Sequence, residues 1–252
     1  MENGKIKVAA VSYLNTKPLL YGLQHSPIWN EIELSVDYPS RIGQQLIDDE
    51  VDIGLIPVAL IPKLSEYHII SDYCIGATGQ VASVCMFSEV PVEEITGIYL
   101  DYQSRSSVAL ARFLLKNYWK ISPAFLRAEA GYENNIKDTV AGIVIGDRAL
   151  KKRGESKYIY DLAEAWIKYT GLPMVFAAWI SNKELPKDFI ERFNEATGLG
   201  TKGAELQHVI DENPCDFFDL KEYFSQHVSY AFDNEKRKGL KRFLEALKQP
   251  VA

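Results

Sequence analysis

The chain has 252 residues, 47 % hydrophobic and 25 % charged, and a net charge of −6 with no basic run, so nucleic acid is excluded as an expected partner. The length suits one large domain or two small ones, and no apolar stretch is long enough to span a membrane. The opening Met1-Glu-Asn-Gly-Lys5 carries neither an apolar leader nor a cysteine for a lipid, which points to a cytoplasmic protein.

Strand and helix patterns alternate along the chain. Residues 6–11 read as a strand, and Pro18 sits in the first turn of a short helix. A strand follows over 32–38, then a helix over 39–49 with Ile42, Gln45, Leu46 and Asp49 at helical spacing. Residues 51–58, 67–75 and 81–87 are further extended runs. This alternation predicts an α/β fold with a mostly parallel sheet. A second unit begins near Pro91, with a strand ending near 100–101, a helix over 104–117 and a strand over 141–146 that is apolar on both faces. A helix over 161–169 and the run Met-Val-Phe-Ala-Ala-Trp-Ile within 173–181 follow. From Pro186 the pattern is helical to the end. Leu240, Phe243, Leu244 and Leu247 form a stripe that reads as core packing.

No linker rich in Pro, Gly or Ser divides the chain, and it contains no internal repeat. Two lobes therefore require two strand-like crossings, near Phe87 and near Ala178. One lobe would comprise residues 1–88 and 179–252, and the other 89–178, with a cleft between them. Nothing in the pattern sets an oligomeric state.

Cys74, Cys85 and Cys215 lie far apart without C-x-x-C, and their odd number suits reduced thiols. His25, His68, His208 and His227 are equally scattered, with no H-E-x-x-H. Neither a metal site nor any other cofactor is expected.

Asp101-Tyr-Gln-Ser-Arg-Ser-Ser107 opens a helix directly after a strand. Free backbone N–H groups and the helix dipole favour an anion there, with Ser104 as cap and Ser106 and Ser107 as added donors. The plainer reading is an ordinary serine cap. Val11-Ser-Tyr-Leu-Asn-Thr-Lys-Pro18 ends the first strand, where ligands sit in α/β folds. Ser12 and Asn15 either face that site, or Asn15 or Thr16 caps the helix while Ser12 lies in a turn. In Val51-Asp-Ile-Gly-Leu-Ile-Pro-Val58, Gly54 permits close approach of a ligand or a backbone, and Asp52 reads as structural. Ser83, in Gly79-Gln-Val-Ala-Ser-Val84, is hydrogen-bonded to backbone or faces a cleft. In Gly142-Ile-Val-Ile-Gly-Asp-Arg-Ala-Leu150, Gly146 lets a ligand touch the backbone. Asp147 caps the next helix or pairs with Arg148 or Arg105, and a structural role is the preferred one. No nucleophile elbow and no spaced carboxylate pair accompany these segments. A binding protein shows such a set, as does an enzyme whose substrate supplies part of the chemistry.

Taken in order, these segments with Tyr160-Asp-Leu-Ala-Glu-Ala-Trp166 and Thr170-Gly-Leu-Pro173 resemble the chorismate dehydratase family of the futalosine route to menaquinone. The resemblance covers nearly the whole chain; the stretch from about Lys183 carries no distinctive motif. It implies a type II periplasmic-binding-protein-like fold, α/β with two lobes, mixed sheets and a cleft between them, without an export signal. It implies chorismate as the small-molecule substrate and a hydro-lyase reaction giving 3-[(1-carboxyvinyl)oxy]benzoate and water. It places Asn15 and Ser83 in the active site and the turn of Ser104, Arg105, Ser106 and Ser107 at a substrate carboxylate; Ser12, Gly146 and Asp147 are the further candidates for binding substrate. Two alternatives share the fold. A non-catalytic solute-binding protein would carry a signal peptide or a lipid-anchor cysteine. The sister enzyme that releases a dihydroxynaphthoate would place a histidine as base, and none of the four histidines lies in a matched motif.

Overall fold

The computed structural model describes residues 4–248; the ends of the expected first lobe, 1–3 and 249–252, lie outside the described residues. Eleven strands are described, β1 (Ile6–Val11), β2 (Ile32–Asp37), β3 (Ile53–Pro57), β4 (His68–Ala77), β5 (Val84–Ser88), β6 (Gly97–Leu100), β7 (Ala124–Arg127), β8 (Val140–Ile145), β9 (Tyr158–Asp161), β10 (Met174–Ser181) and β11 (Ser229–Ala231). They form two sheets, ordered β11-β4-β10-β3-β1-β2 and β7-β6-β8-β5-β9. The helices are α1 (Lys17–Gln24), α2 (Pro39–Ile47), α3 (Ser106–Leu114), α4 (Asp147–Lys152), α5 (Leu162–Thr170), α6 (Lys187–Leu199), α7 (Gly203–Glu212), α8 (Leu220–Glu222) and α9 (Asn234–Leu247).

The two-lobed α/β architecture is as expected, but the mostly parallel sheet is not. β1 is parallel to β2 and β3, while β10 is antiparallel to β3 and β4, and β11 to β4. In the second sheet β6 is parallel to β7 and β8, and β5 is antiparallel to β8 and β9. The reason is the crossings. β4 ends at the lobe boundary with Ala77, β10 returns there with Met174, and the two residues pair. Likewise β5 starts at the boundary with Val84 beside Ile145, the last residue of β8. A chain that enters where its neighbours finish can only run antiparallel to them.

Sheet membership changes across residues 78–83 and 171–173, so the expected crossing points near Phe87 and Ala178 fall inside β5 and β10. All eight residues of β10 are buried, as its apolar run demands of a strand flanked on both sides. β7, β9 and β11 were not foreseen. They are three or four residues long and sit at sheet edges, where too few side chains are buried to leave a pattern. β11 also interrupts the expected C-terminal helical run.

One apolar cluster joins the lobes. Trp166 of α5 packs on Phe113 of α3 and on Phe243 of α9, with ring centroids 5.7 and 5.8 Å apart. The terminal stripe is core, with Leu240 and Phe243 buried and Leu244 and Leu247 packed against them. Gly54 meets Ile56 and Ile42, so its missing Cβ serves the core. Asp52 is structural: it accepts from the Lys7 N–H at 2.9 Å and pairs with Lys183.

The first crossing is held by Asp161 at the end of β9. One carboxylate oxygen accepts from the N–H groups of Val81 and Ala82 at 3.0 and 2.8 Å, and the other caps α5 through Ala163 and Glu164 at 3.0 and 3.1 Å. Burial pushes this carboxyl up from the usual carboxylate range, against the pull of those donors. An amide of the same shape would turn an NH₂ toward two N–H donors. Asp161→Asn is therefore expected to lower the unfolding free energy by about 2–4 kcal/mol in urea titrations; a loss under about 1 kcal/mol would show that these bonds carry little.

Candidate active site

The carboxyl ends of β1, β3 and β8 converge at the lobe boundary, where ligands bind in α/β folds. A cavity of about 50 Å³ lies there. Tyr13, Asn15, Pro39, Pro57 and Phe176 line it from the first lobe, Ser104, Ser106, Ser107, Ile145 and Gly146 from the second, and Val81 from the crossing. The room suffices for a few waters, far below the 300 Å³ or more typical of ligand sites. The structure is therefore a closed form.

Asn15 is buried and reaches the cavity from the turn after β1. Its Oδ1 accepts from Thr16 Oγ1 at 3.2 Å, and its backbone carbonyl accepts from the Tyr230 hydroxyl at 2.8 Å. Ser83 is fully buried and does not line the cavity in this closed form. Its Oγ accepts from the Tyr223 hydroxyl at 2.7 Å, and its own proton has only the Val81 carbonyl, at 3.4 Å. The phenol of Tyr223 also lies beside the Asn15 side chain.

The serine turn does cap α3: Ser104 Oγ accepts from the Ser107 N–H at 3.1 Å. Ser106 has a second duty. It donates to the Phe176 carbonyl at 2.8 Å and accepts from the Ala59 N–H at 3.2 Å, stitching α3 to the first lobe. Its one hydroxyl proton is spent, so its offering to a ligand is the backbone N–H of the helix start. Ser104 and Ser107 also face the cavity. Arg105 is turned elsewhere. Its guanidinium donates to the carbonyls of Tyr102 and Ser104 at 3.2 and 3.0 Å, and it lines a separate groove of about 860 Å³ with Arg112, Phe125 and Arg127.

Gly146 has φ +64° and ψ −146°, a region only glycine occupies readily. A Cβ there would lie 2.8–2.9 Å from the Tyr13 ring. The close approach foreseen at Gly146 is thus taken up by Tyr13 of the opposite lobe. Asp147 reaches the same way, accepting from the Leu14 N–H at 3.0 Å. Burial raises its pKa from the carboxylate norm. It is not the partner of Arg148 or Arg105; Arg148 pairs with Asp101 at 2.7 Å and with Glu133. Tyr13 donates to Gln103, whose carbonyl accepts from the Ser40 N–H at 3.0 Å. Ser12 is exposed, with its N–H on the Asp37 carbonyl at 3.1 Å, and does not line the cavity.

Among the described residues, Tyr13 is the only titratable side chain lining the cavity, and burial beside Asp101 keeps its phenol protonated. His227 is engaged outside, with Gln80 and Glu222. Among the described residues, no group of three or more His, Cys, Asp or Glu is placed to hold a metal, and no helix is long and apolar enough to cross a membrane. The sequence reading passed over Tyr13, Tyr223, Tyr230 and Asp161. Tyr13 lay inside a quoted motif. Asp161 lay inside another, Tyr160 to Trp166, while Tyr223 and Tyr230 offered only a local excess of aromatics, Phe217 to Phe232, in an otherwise polar stretch.

The sequence model of a family described as menaquinone biosynthesis matches residues 6–249. A chorismate dehydratase from Thermus thermophilus is 28 % identical over 241 residues, covering 85 % of this chain and 86 % of its own. One from Campylobacter jejuni is 27 % identical over 246 residues, covering 94 % and 96 %. Among solved structures, a protein from Archaeoglobus fulgidus superposes with a TM-score of 0.74 at 15 % identity, over 98 % of this chain and 97 % of that one. A Candida albicans protein with the generic periplasmic binding protein fold superposes with a TM-score of 0.65 at 16 % identity, over 97 % and 90 %. The fold is accordingly of the periplasmic-binding-protein type.

Gly146→Ala combines backbone strain with a clash against Tyr13. It is expected to destabilise the protein by about 1–3 kcal/mol in thermal or urea unfolding. Adding Tyr13→Ala should remove the clash and leave the strain, recovering part of the loss. Full recovery would mean that the glycine's backbone angles matter little.

Proposed function

The chain belongs to the menaquinone-biosynthesis family, and from its cleft and its dehydratase relatives we propose that it is a chorismate dehydratase, a hydro-lyase converting chorismate to 3-[(1-carboxyvinyl)oxy]benzoate and water. The observation that carries the mechanism is the neutrality of the cleft: among the described residues, no carboxylate, imidazole, amine or guanidinium lines it. The substrate brings what the protein withholds. Chorismate holds a C3 hydrogen, a C4 hydroxyl and two carboxylates. Loss of the C3 proton and the C4 hydroxyl makes the ring aromatic, so positioning and electrostatics can do most of the work.

The enolpyruvyl carboxylate of the substrate takes the C3 proton and returns it to the C4 hydroxyl, which departs as water as the C3–C4 double bond forms. Asn15 cannot act as the base, because a neutral amide does not exchange protons at useful pH. It orients that carboxylate, and Ser83 assists at the carboxylate or the leaving hydroxyl. The start of α3, with Ser104 and Ser107, holds the other carboxylate through neutral donors. Neutral donors have a purpose here: an arginine would lower the basicity of the carboxylate that must accept the proton, whereas a desolvating cleft raises it. The lobes part to admit chorismate and close over it. The three free thiols fit a reducing cytoplasm.

Purified protein with chorismate should give the aromatic product without added metal, nucleotide or flavin, followed by absorbance and mass; activity abolished by chelators would overturn this account. Asn15→Ala should lower kcat at least ~100-fold, the scale of one preorganised donor, with a smaller change in chorismate affinity. Asn15→Asp should be as poor or poorer, since its charge would face the substrate's own carboxylates. An active Asn15→Asp enzyme with a new acidic limb in its pH profile would assign the base to the protein instead.

A further inference from the structure

Tyr223 comes from the C-terminal stretch that carries no distinctive motif. It follows α8 directly and opens a π-turn, Tyr223–His227, a local irregularity frequent at functional sites. Its side chain is fully buried, and its hydroxyl meets a residue that the dehydration needs. The phenol has one proton, and it goes to Ser83 Oγ at 2.7 Å. Asn15, whose Oδ1 accepts from Thr16 Oγ1, lies beside the same phenol and lines the cavity. Ser83, having taken the phenol's proton, holds its own against Val81 by a 3.4 Å contact, far longer than a good O–H···O bond and readily exchanged for a substrate oxygen.

We propose that Tyr223 is a positioning residue for the dehydration: by donating to Ser83, it leaves the Ser83 hydroxyl proton for bound substrate. Without it the Ser83 hydroxyl is free to face away. The phenol is a constant donor rather than an acid, because burial, assisted by the charge of Asp147, holds it well above the usual tyrosine range. Tyr230, donating to the Asn15 carbonyl at 2.8 Å, fixes Asn15 by its backbone. The inference rests on the chorismate dehydratase reading.

Tyr223→Phe keeps the ring that packs on Phe218 and Phe224 and removes only the hydroxyl. Its steady-state kinetics with chorismate are to be measured beside wild type, Ser83→Ala and the double variant. Tyr223→Phe should lower kcat about 10- to 100-fold, the scale of one hydrogen bond to a reacting group, with KM within about threefold. If the hydroxyl acts through Ser83, the loss in the double variant should fall about tenfold or more short of the product of the single losses. A kcat within about threefold of wild type, a loss confined to KM, or losses that multiply in the double variant would each overturn the proposal. Should Tyr223→Phe not fold, Ser83→Ala cuts the same bond from its other end and must show the kcat-selective loss. Wild-type protein that makes no aromatic product would overturn the dehydratase reading and this inference with it, whereas active wild type beside an equally active Tyr223→Phe overturns this inference alone.

Discussion

The site depends on one buried carboxylate. Asp161 accepts four backbone N–H bonds, two from the first crossing and two from the start of α5. The crossing needs that hold, because Ala82 has φ +60°, a left-handed conformation that costs a residue with a Cβ about 1 kcal/mol or more. Charge-assisted bonds to Val81 and Ala82 offset the strain and set the position of Ser83, the next residue. The Ser83 carbonyl then accepts from the Gly146 N–H at 2.8 Å, which places the turn into α4. From that turn Gly146 receives the Tyr13 ring and Asp147 receives the Leu14 N–H. A carboxylate at the end of an edge strand thus determines how the opposite lobe docks.

A second constraint limits how the lobes can move. Two crossings alone would leave a hinge at 78–83 and 171–173. Two further ties span it. Ser106 joins α3 to Ala59 and to the Phe176 carbonyl, and Phe243 of α9 packs edge-on against Trp166 of α5. The tie at Ser106 sits on the cavity wall itself. Opening the cleft therefore strains the serine turn, so the proposed binding of a carboxylate there would be mechanically linked to closure.

Much of the fold was legible because burial on both faces writes itself as apolar runs: β1, β3 and β10 are central strands and read as such. The helix start at Ser104 was legible because a cap is a local event. The antiparallel returns of β5 and β10 were not, since strand direction is decided by where the chain re-enters a sheet, which no local pattern records. The candidate residues divide in the same way. Asn15, Ser104, Ser106, Ser107 and Gly146 reach the cavity from strand ends and a helix start. Arg105 turns back onto its own loop and Ser12 stays at the surface, although their neighbours in sequence face inward. Tyr223 is 140 residues from Ser83, and a tyrosine among the aromatics of 217–232 gives no sign of a partner so distant.

The chemistry of the cleft follows from what its walls lack. A binding fold that captures a dianion would ordinarily use arginine, whose forked donors match a carboxylate. Arg148 is bound instead to Asp101, Glu133 and Gln103. Arg105 faces another groove. On the proposed dehydratase reading, withholding both leaves substrate carboxylates facing hydroxyls, an amide and a helix start. Such donors hold an anion by direction more than by charge, and they leave its basicity largely intact. Closure removes water, which raises that basicity further. The same feature that makes this a modest anion binder thus suits it to a reaction in which the bound anion is the base. It also accounts for an asparagine where general acid–base catalysis would call for a carboxylate. In a cleft with two substrate carboxylates, a third negative charge would repel the group that must do the work, whereas an amide held by Thr16 supplies direction and no charge.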